Sequence, residues 1–429
     1  MPQPVCTPNF FLACPCTESF PILHCMKILY YSPHPNLNLT DPAGYGTHMR
    51  EMIQAFRDQG HEVRPLIMGG TEPRENYSPP RNGFLKKIAK KIIPTARWQT
   101  WKDDRLIDFD EEAFLRLRAE IQKFKPDLIY ERANYMQVSG VRAAKKAGVM
   151  HILEMNSPYV EEKVELEGGG SKLLQEAVQR EHEQLTKTAQ VMVVSSALRD
   201  YFIEHHGIFR GKFTVVPNAI DPAKTMAEPQ AVLNIRQRQN LVGKVVFGWV
   251  GSIQPWHGIE KMIKAFAPVH RLHPDTRLLI VGSGETEGQL KALVQSMGLD
   301  DSVLFTGYVP HSEVFQHIAA MDICLLPNTN WYCSPIKLFE YGAMGKAIIT
   351  TDHPAILDVM TPDVDGLIID KSDEKALEEA MLKLVQDKET REKLAIGFQS
   401  KVLNHHTWKS NADRVLGYLK STHASIPRS

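Results

Sequence analysis

The sequence has 429 residues, of which 43% are hydrophobic and 23% are charged, and this composition excludes a disordered chain or a coiled coil. Lys and Arg together number 50, as do Asp and Glu, so the chain lacks the positive excess of a protein that coats nucleic acid. No uninterrupted run of apolar residues is long enough to predict a membrane span. A chain of this length usually contains two or three domains.

The first 25 residues differ from the rest of the chain. They contain four of the six cysteines and neither Lys nor Arg, whereas a secretory signal needs a positively charged start. We therefore expect residues 1–25 to be a disordered or non-native leader and the fold to begin at Met26. Cys324 and Cys333 are predicted to be reduced thiols.

From Met26 onward, short apolar strands alternate with amphipathic helices. A strand is predicted at 27–31, and a loop containing Gly44-Tyr45-Gly46 leads into a segment, 49–56, in which apolar residues recur at helical spacing. Gly60 should end this helix. Further strands and helices follow up to residue 155, and the alternation predicts a parallel sheet covered by helices.

A second series of the same kind begins near Val245. Strands are predicted at 245–250, 278–282 and around Val303 and Ile323, and helices at 259–270 and 287–297. The polar segment 221–243 predicts a linker between domains. The expected class is α/β, with two Rossmann-like doubly wound domains facing a cleft in which ligands bind beyond the carboxyl ends of the strands.

The segment 84–102 interrupts this pattern. Lysines alternate with aliphatic residues between 84 and 93, and Trp98 and Trp101 follow. Two interpretations stay open: a peripheral contact with an anionic membrane, or a solvated amphipathic helix packed on the first domain.

The segment from Tyr332 to Lys346 predicts a short helix whose start binds an anion. Ser334 suits the N-cap, Pro335 suits the first helical position, and Gly345 marks the end. Because the helix follows a strand, its free N–H groups and its dipole lie at the carboxyl edge of the sheet.

Lys337 and Glu340 share a face of this helix with Ser334. A lysine near a helix N-terminus is favourable when an anion such as a diphosphate lies between them. A carboxylate can accept the two hydrogen bonds of a ribose diol. Taken alone, the two residues also fit an ordinary surface helix.

This segment resembles the donor-binding signature of glycosyltransferase family 4, whose members are retaining enzymes of GT-B fold. The similarity runs from Met26 to about Leu419. The other stretches that resemble the family follow in its expected order: 44–46, 215–221, 248–252, 256–258, 279–284 and 305–309.

The resemblance implies transfer of a sugar from a nucleotide-diphosphate sugar to an acceptor hydroxyl, with retention at the anomeric carbon and without a metal or other cofactor. Residues 26–222 would form the acceptor-binding domain and 223–404 the nucleotide-sugar-binding domain. Residues 405–422 would form a helix that crosses back to the first domain. We expect a cytoplasmic protein. Whether it also contacts the inner face of the membrane peripherally stays open. The sequence indicates no oligomeric state.

By the same resemblance, Glu340 would hold the ribose, and Lys337 would bind the diphosphate and stabilise it as it leaves. In the usual front-face mechanism the leaving phosphate takes the acceptor's proton, so no protein base is needed. Gly307, Tyr308 and Val309 would lie beside the base. The remaining donor-binding residues implied are Gly46, Gly251, Ser252, His257, Gly282, Tyr332, Ser334, Pro335 and Ile336.

The sequence departs from the family pattern at three of these positions. Tyr332 replaces the first Glu of a Glu-x7-Glu pattern, which normally contacts the transferred sugar, so the sugar is not identified. Ser252 and His257 replace an Arg and a Lys. Charge neutralisation would then depend on Lys337, the helix dipole and a protonated His257.

Residues 130–132 (YER) and 154–158 (EMNSP) resemble stretches of a family subgroup with YER and EVNxP motifs. Asn156, Arg132 and Glu154 would accordingly face the cleft as catalytic residues. The alternative is that Glu131 and Arg132 belong to a structural ion-pair network.

Asp108-Phe-Asp110 and Asp363-Val-Asp365 fit an Asp-x-Asp metal pattern, but so short a pattern arises easily by chance, and we expect no metal site. Two alternatives to a transferase stay open. One is a GT-B nucleotide-sugar epimerase, and the other is a noncatalytic nucleotide-sugar-binding scaffold.

Overall fold

The computed structural model describes residues 25–73, 94–373 and 375–423, which form two α/β domains. Each domain is built on a six-stranded sheet in which every strand pair is parallel. The predicted α/β class with two doubly wound sheets is confirmed.

The first sheet has the strand order β2-β1-β3-β4-β5-β6. Its strands are β1 (Lys27–Ser32), β2 (Glu62–Ile67), β3 (Leu128–Arg132), β4 (Met150–Met155), β5 (Gln190–Val193) and β6 (Phe213–Val215). Its helices are α1 (Gly44–Asp58), α2 (Thr95–Phe124), α3 (Ser139–Ala147), α4 (Tyr159–Glu167), α5 (Leu174–Lys187) and α6 (Ser196–His206).

The second sheet has the order β12-β11-β10-β7-β8-β9. Its strands are β7 (Val245–Val250), β8 (Thr276–Val281), β9 (Val303–Phe305), β10 (Ile323–Leu326), β11 (Ala347–Thr351) and β12 (Leu367–Ile369). The helices that follow in the chain are α7 (Pro229–Arg238), α8 (Ile259–Leu272), α9 (Glu287–Ser296), α10 (His311–Ala319), α11 (Ile336–Ala343), α12 (Pro354–Leu357), α13 (Ala376–Gln386), α14 (Lys388–His405) and α15 (Trp408–His423).

Helices cover both faces of each sheet, so the strands are apolar on both sides. In β1, Ile28 and Tyr30 pack in the cluster that contains the apolar residues of α1 and α15. Leu29 and Tyr31 pack on the opposite face against α2 and α3. In each sheet the strand order reverses beside β1 or β7, and the carboxyl ends of the strands at such a point form the crevice where ligands bind.

The chain passes between the two domains twice, and the two passages lie side by side. The Ile220 N–H donates to the His406 carbonyl at 3.0 Å, and the Trp408 N–H donates to the Ile220 carbonyl at 3.2 Å. Helix α15 then packs on the first domain, where Trp408 and Val415 are buried with Met49 of α1.

Two segments differ from the sequence-based expectation. The segment 221–243, predicted as a linker, contains α7, which is tied to the second domain because Arg236 donates to the Ala320 carbonyl at 2.9 Å. Sequence patterns also do not predict α2, which runs for 30 residues to Phe124 and is followed by Lys125 in the left-handed conformation.

The structure describes only part of the segment 84–102, for which membrane contact was one of two interpretations. Residues 84–93 lie outside the described residues, as do residues 1–24 of the leader. Trp98 and Trp101 lie at the start of α2 with their rings stacked 5.0 Å apart. Within the described ranges, none of the helices has the length and apolar character needed to cross a bilayer. Cys324 and Cys333 are free thiols, as is Cys25.

Candidate active site

Helix α11 lies at the carboxyl edge of the second sheet, after β10 and the loop 327–335. It starts at Ile336, with Pro335 at the N-cap position, rather than at Ser334 as predicted. The Ser334 side chain does not cap the helix because its Oγ accepts a hydrogen bond from the Asn218 N–H at 3.0 Å. The predicted cap residue therefore connects the helix start to the other domain.

Lys337 is a shielded cation in the first turn of α11. Its Nζ lies 4.1 Å from the centroid of the Trp249 ring, at the end of β7. Among the described residues it has no hydrogen-bond partner. Burial lowers the pKa of Lys337 to about 8, although Glu340 acts in the opposite direction. An ammonium group in this state is stabilised by an incoming anion.

Glu340 lies one turn further along α11, where its side chain is 8% exposed. Burial raises the pKa of Glu340 to about 7, and the charge of Lys337 only partly offsets this effect. The helix itself is held against β7, because the Val250 N–H donates to the Tyr341 hydroxyl at 2.8 Å. The cost of burying Lys337 and Glu340 is thus only partly offset by their mutual attraction, and both residues lie on a helix that is fixed against β7.

Three of the predicted glycines lie close together beside the start of α11. Gly251 has a φ of 146°, and a Cβ at this position would lie 2.8 Å from Lys337 Nζ. A Cβ on Gly282 would overlap the Gly251 carbonyl, so these two backbones approach more closely than side chains would allow. The Gly282 N–H donates to the Gly307 carbonyl at 3.0 Å. The loops after β7, β8 and β9 therefore meet beside Lys337.

The residues next to these glycines are more open. Ser252 and Tyr308 are exposed, Tyr308 with 69% of its surface, whereas Val309 packs at the edge of the second domain's core. An exposed aromatic ring beside Gly307 is available to stack on a planar ligand.

His257 does not supply the positive charge expected of it. Burial, followed by the positive charge of Lys337, lowers the pKa of His257 to about 4, so the ring is neutral at pH 7. Its Nδ1–H donates to the Ser252 carbonyl at 2.8 Å. Burial and the nearby Lys337 thus both oppose the protonated His257 that the sequence suggested.

Asn218 links α11 to the first domain. Besides its N–H bond to Ser334, its Nδ2 donates to the Ser334 carbonyl at 2.5 Å, and its Oδ1 lies 2.7 Å from His48 Nδ1. His48 Nε2 in turn lies 2.9 Å from Glu154. A continuous chain of polar contacts therefore runs from the end of β4 through α1 to the start of α11.

Glu154 is fully engaged inside the first domain. Tyr130, Arg132 and Asn156 donate to its carboxylate at 2.7, 2.8 and 2.6 Å. Burial would raise the pKa of Glu154, but His48, Arg132 and Asn156 outweigh that effect and lower it to about 2. Contrary to the expectation that it faces the cleft, the Glu154 carboxylate is buried and surrounded by donors, and its catalytic role stays a prediction. Arg132 is also buried, and only Asn156 of the three is partly exposed.

Glu131 and Arg132 both belong to buried structural networks, as the alternative interpretation stated. They point to opposite sides of β3, so the two networks are separate: Arg132 pairs with Glu154, and Glu131 contacts His151 Nε2 at 2.7 Å.

Tyr332 also reaches into the first domain. Its side chain is 4% exposed, its hydroxyl donates to Glu162 of α4 at 2.6 Å, and its carbonyl accepts from Ser195 at 2.8 Å. At the helix start, Ile336 lies against Gly44, where an added Cβ would be 3.4 Å from its side chain. A Cβ on Gly46 would overlap the Asp41 carbonyl, so the contact that requires this glycine is internal to the first domain.

The two Asp-x-Asp stretches have structural roles. Asp110 accepts from the Val138 and Ser139 N–H groups at 3.0 Å and pairs with Arg180. Asp365 accepts from the Thr361 N–H and pairs with Lys401. In the described part of the chain, no three His, Cys, Asp or Glu residues group as metal ligands.

Sequence patterns did not single out His48, Asn218 or Glu162. The first two lie inside or beside the stretches that carry the family resemblance, which was an available signal. Glu162 has no such signal, because only the approach of α4 to the loop 327–335 shows its contact.

Two family models match the chain. The model for glycosyltransferase family 4 covers residues 42–224, and the model for glycosyl transferases group 1 covers 233–397. Both matches lie within the domains described above, and together they span most of the chain.

Among known proteins, 2-deoxystreptamine glucosyltransferase of Streptomyces kanamyceticus is 33% identical over 27% of this chain and only 30% of its own length. D-inositol 3-phosphate glycosyltransferase of Stackebrandtia nassauensis is 23% identical over 94% of this chain and 92% of its own.

Among solved structures, Anabaena Alr3699/HepE in complex with UDP has a TM-score of 0.70 at 16% identity, covering 92% of this chain and 100% of that one. Its complex with UDP-glucose has a TM-score of 0.67 at 18% identity, with the same coverage. These structures share the GT-B fold. The chain therefore belongs to the family 4, group 1 glycosyltransferases of GT-B fold.

Proposed function

We propose that this glycosyltransferase moves a sugar from a nucleotide-diphosphate sugar to an acceptor hydroxyl with retention of the anomeric configuration and without a metal ion. The observation that carries the proposal is Lys337. It is a shielded cation without a hydrogen-bond partner among the described residues, and it lies at the start of α11.

The surroundings of Lys337 suit a diphosphate. The helix N-terminus offers free N–H groups, and the lack of a side chain at Gly251 leaves room for the ammonium, since an added Cβ would lie 2.8 Å from Lys337 Nζ. A diphosphate bound here would stabilise the positive charge of Lys337, which burial disfavours. During transfer the diphosphate gains negative charge, and a fixed cation stabilises that charge without reorganisation.

The rest of the donor fits along the same edge. Glu340, one turn from Lys337, would accept hydrogen bonds from the two ribose hydroxyls. Tyr308 and Gly307 would lie beside the base. The complexes of the similar Anabaena protein with UDP and UDP-glucose support a nucleotide-sugar donor.

The first domain would bind the acceptor on the opposite side of the cleft. No buried carboxylate of that domain is needed as a base in a front-face reaction, because the leaving phosphate accepts the acceptor's proton. Glu154, whose carboxylate already accepts hydrogen bonds from three side chains, is not required as a base in such a mechanism.

The experiment is a titration with UDP and GDP, followed by incubation with UDP- and GDP-sugars and a panel of hydroxyl acceptors. We expect nucleotide-diphosphate release that depends on the acceptor, and a product whose anomeric configuration by NMR matches that of the donor. Lys337→Met should remove most of this activity, whereas Lys264→Met, which changes an exposed lysine of α8, should not.

The other outcomes identify the alternatives. Binding without release for every donor and acceptor would indicate a noncatalytic nucleotide-sugar-binding protein. Conversion of the donor sugar without an acceptor would indicate an epimerase. Full transfer by Lys337→Met would contradict the role assigned to Lys337.

A further inference from the structure

Glu162 of the first domain reaches the loop that precedes α11 in the second domain. It lies in the first turn of α4, just beyond the carboxyl end of β4. Its Oε1 accepts a hydrogen bond from the Tyr332 hydroxyl at 2.6 Å. A carboxylate from one domain is thereby fixed by a side chain of the other.

The carboxylate is oriented on both sides. Ser157 donates to Glu162 Oε2 at 2.7 Å, and the Tyr332 hydroxyl also accepts from Asn330 Nδ2 at 3.1 Å. A carboxylate has about four acceptor sites, and the two hydroxyl groups use one on each oxygen. Each oxygen of Glu162 therefore keeps capacity for a further donor.

Glu162 contacts the loop that leads to Lys337. Its partner Tyr332 precedes Cys333, and the charges of Glu162 and Lys337 both act on the Cys333 thiol. Tyr332 itself is five residues before Lys337 in the chain. The carboxylate is thus close to the start of α11 but belongs to the domain across the cleft.

We infer that Glu162 is a specificity-determining residue that accepts hydrogen bonds from hydroxyl groups of the transferred sugar, an inference that rests on the proposed function. If the diphosphate lies at the start of α11 and the acceptor on the first domain, the transferred sugar lies between them. A sugar presents several hydroxyl donors there. Glu162 is a half-buried carboxylate at this boundary whose two oxygens are both oriented and both able to accept again.

The test compares Glu162→Gln with Glu161→Gln, the same change at the adjacent position of α4. Steady-state transfer is measured with two donors that carry the same nucleotide and sugars epimeric at one hydroxyl, such as UDP-glucose and UDP-galactose. For Glu162→Gln we expect kcat/KM with the better donor to fall by about tenfold or more, the ratio between the epimers to change, and the Kd of UDP and GDP to stay within about twofold. Glu161→Gln should leave all three quantities near those of the wild type.

Tyr332→Phe removes one of the two hydroxyl groups that orient the carboxylate and should change the epimer ratio in the same direction as Glu162→Gln, but to a lesser extent. A Glu162 that only holds the domains together would lower the thermal stability and weaken UDP and GDP binding without changing the epimer ratio, and this result would overturn the inference. An unchanged kcat/KM in Glu162→Gln would overturn it as well. If the wild type transfers no sugar from any donor, the proposed function itself fails, so the two failures are distinguishable.

Discussion

Asn218 holds Ser334 from both sides, donating its main-chain N–H to the Ser334 hydroxyl and its side-chain amide to the Ser334 carbonyl. The two residues are 116 positions apart in the chain and belong to different domains. Because Ser334 immediately precedes Pro335 and α11, this pair sets where the helix begins relative to the first domain. Lys337 is three residues further on, so its position depends on the same pair.

Asn218→Asp should therefore misplace the start of α11. Aspartate keeps the size of the side chain but replaces the amide donor with an oxygen that faces the Ser334 carbonyl. We expect a loss of about 1–3 kcal/mol in unfolding free energy and weaker UDP or GDP binding, measured by denaturant titration and calorimetry.

The control for this variant is Asn404→Asp. Asn404 also donates its amide to a main-chain carbonyl, that of Ser400 at 2.8 Å, but it is exposed at the end of α14. It should cost less than about 0.5 kcal/mol and leave nucleotide binding unchanged. Equal effects of the two variants would contradict a special role of the Asn218–Ser334 pair.

The affinity for a nucleotide diphosphate should fall as the pH rises through about 8. Burial lowers the pKa of Lys337 to about 8, so the free protein loses this charge above that pH, while a bound diphosphate favours the charged form. The secondary ionisation of the phosphate lies near pH 6 and does not interfere. Calorimetry with UDP or GDP should show up to about a tenfold loss per pH unit above 8, and Lys337→Met should lack this slope.

Glu340 should make the unfolding free energy decrease with pH between about 4.5 and 7. Its pKa is raised to about 7 by burial, so in this window the folded protein binds a proton that the unfolded chain has released. The contribution is complete below 4.5 and lost as the pH rises through 7. Glu340→Gln should reduce the decrease by about 1–3 kcal/mol in denaturant titrations. A wild-type pH profile in this variant would contradict the assignment.

The sequence predicted the two-domain fold because strands and helices alternate regularly and because each carries an apolar pattern that local chemistry determines. It also brought Lys337, Glu340, Gly251, Gly282 and Gly307 correctly to one edge, since the carboxyl ends of parallel strands meet there.

What the sequence could not show are contacts between residues far apart in the chain. Ser334 is a residue type typical of an N-cap, but its hydroxyl accepts a hydrogen bond from the Asn218 N–H. His257 was expected to carry a charge, but burial and the neighbouring Lys337 lower its pKa. The motif around Glu154 suggested a residue that faces the cleft, but in the structure its carboxylate is held by hydrogen-bond donors. In each case a tertiary partner overrides the local preference.

Gly251→Ala should weaken nucleotide binding more than it destabilises the fold. The added Cβ would lie 2.8 Å from Lys337 Nζ and would displace the ammonium, and the φ of 146° adds backbone strain. We expect the Kd of UDP or GDP to rise by about tenfold, which corresponds to about 1.4 kcal/mol. Gly288→Ala is the control, since a Cβ there meets no atom within 4 Å in α9 and should be neutral or slightly stabilising.

Glu154→Gln distinguishes a structural from a catalytic role for this carboxylate. Glutamine has the same shape, but its amide group would face donors supplied by Tyr130, Arg132 or Asn156, so we expect a loss of about 2–5 kcal/mol in unfolding free energy. The pKa of Glu154 is lowered to about 2, so its stabilisation is present above pH 4.5 and is lost as the pH falls through 2. The variant should therefore show a weaker acid dependence than the wild type.

The matched control for Glu154→Gln is Glu112→Gln in α2, where the carboxylate forms an exposed ion pair with Arg116 and its loss should change stability by less than about 0.5 kcal/mol. Denaturant titration of both variants at pH 3 to 7, together with transfer assays, separates the two roles. If Glu154→Gln kept the wild-type stability and lost transfer, the carboxylate would act on the substrate, as the family resemblance implied, and the network around it would have to open during the reaction. If stability falls and the remaining folded protein still transfers sugar, Glu154 only supports His48, Asn218 and the start of α11.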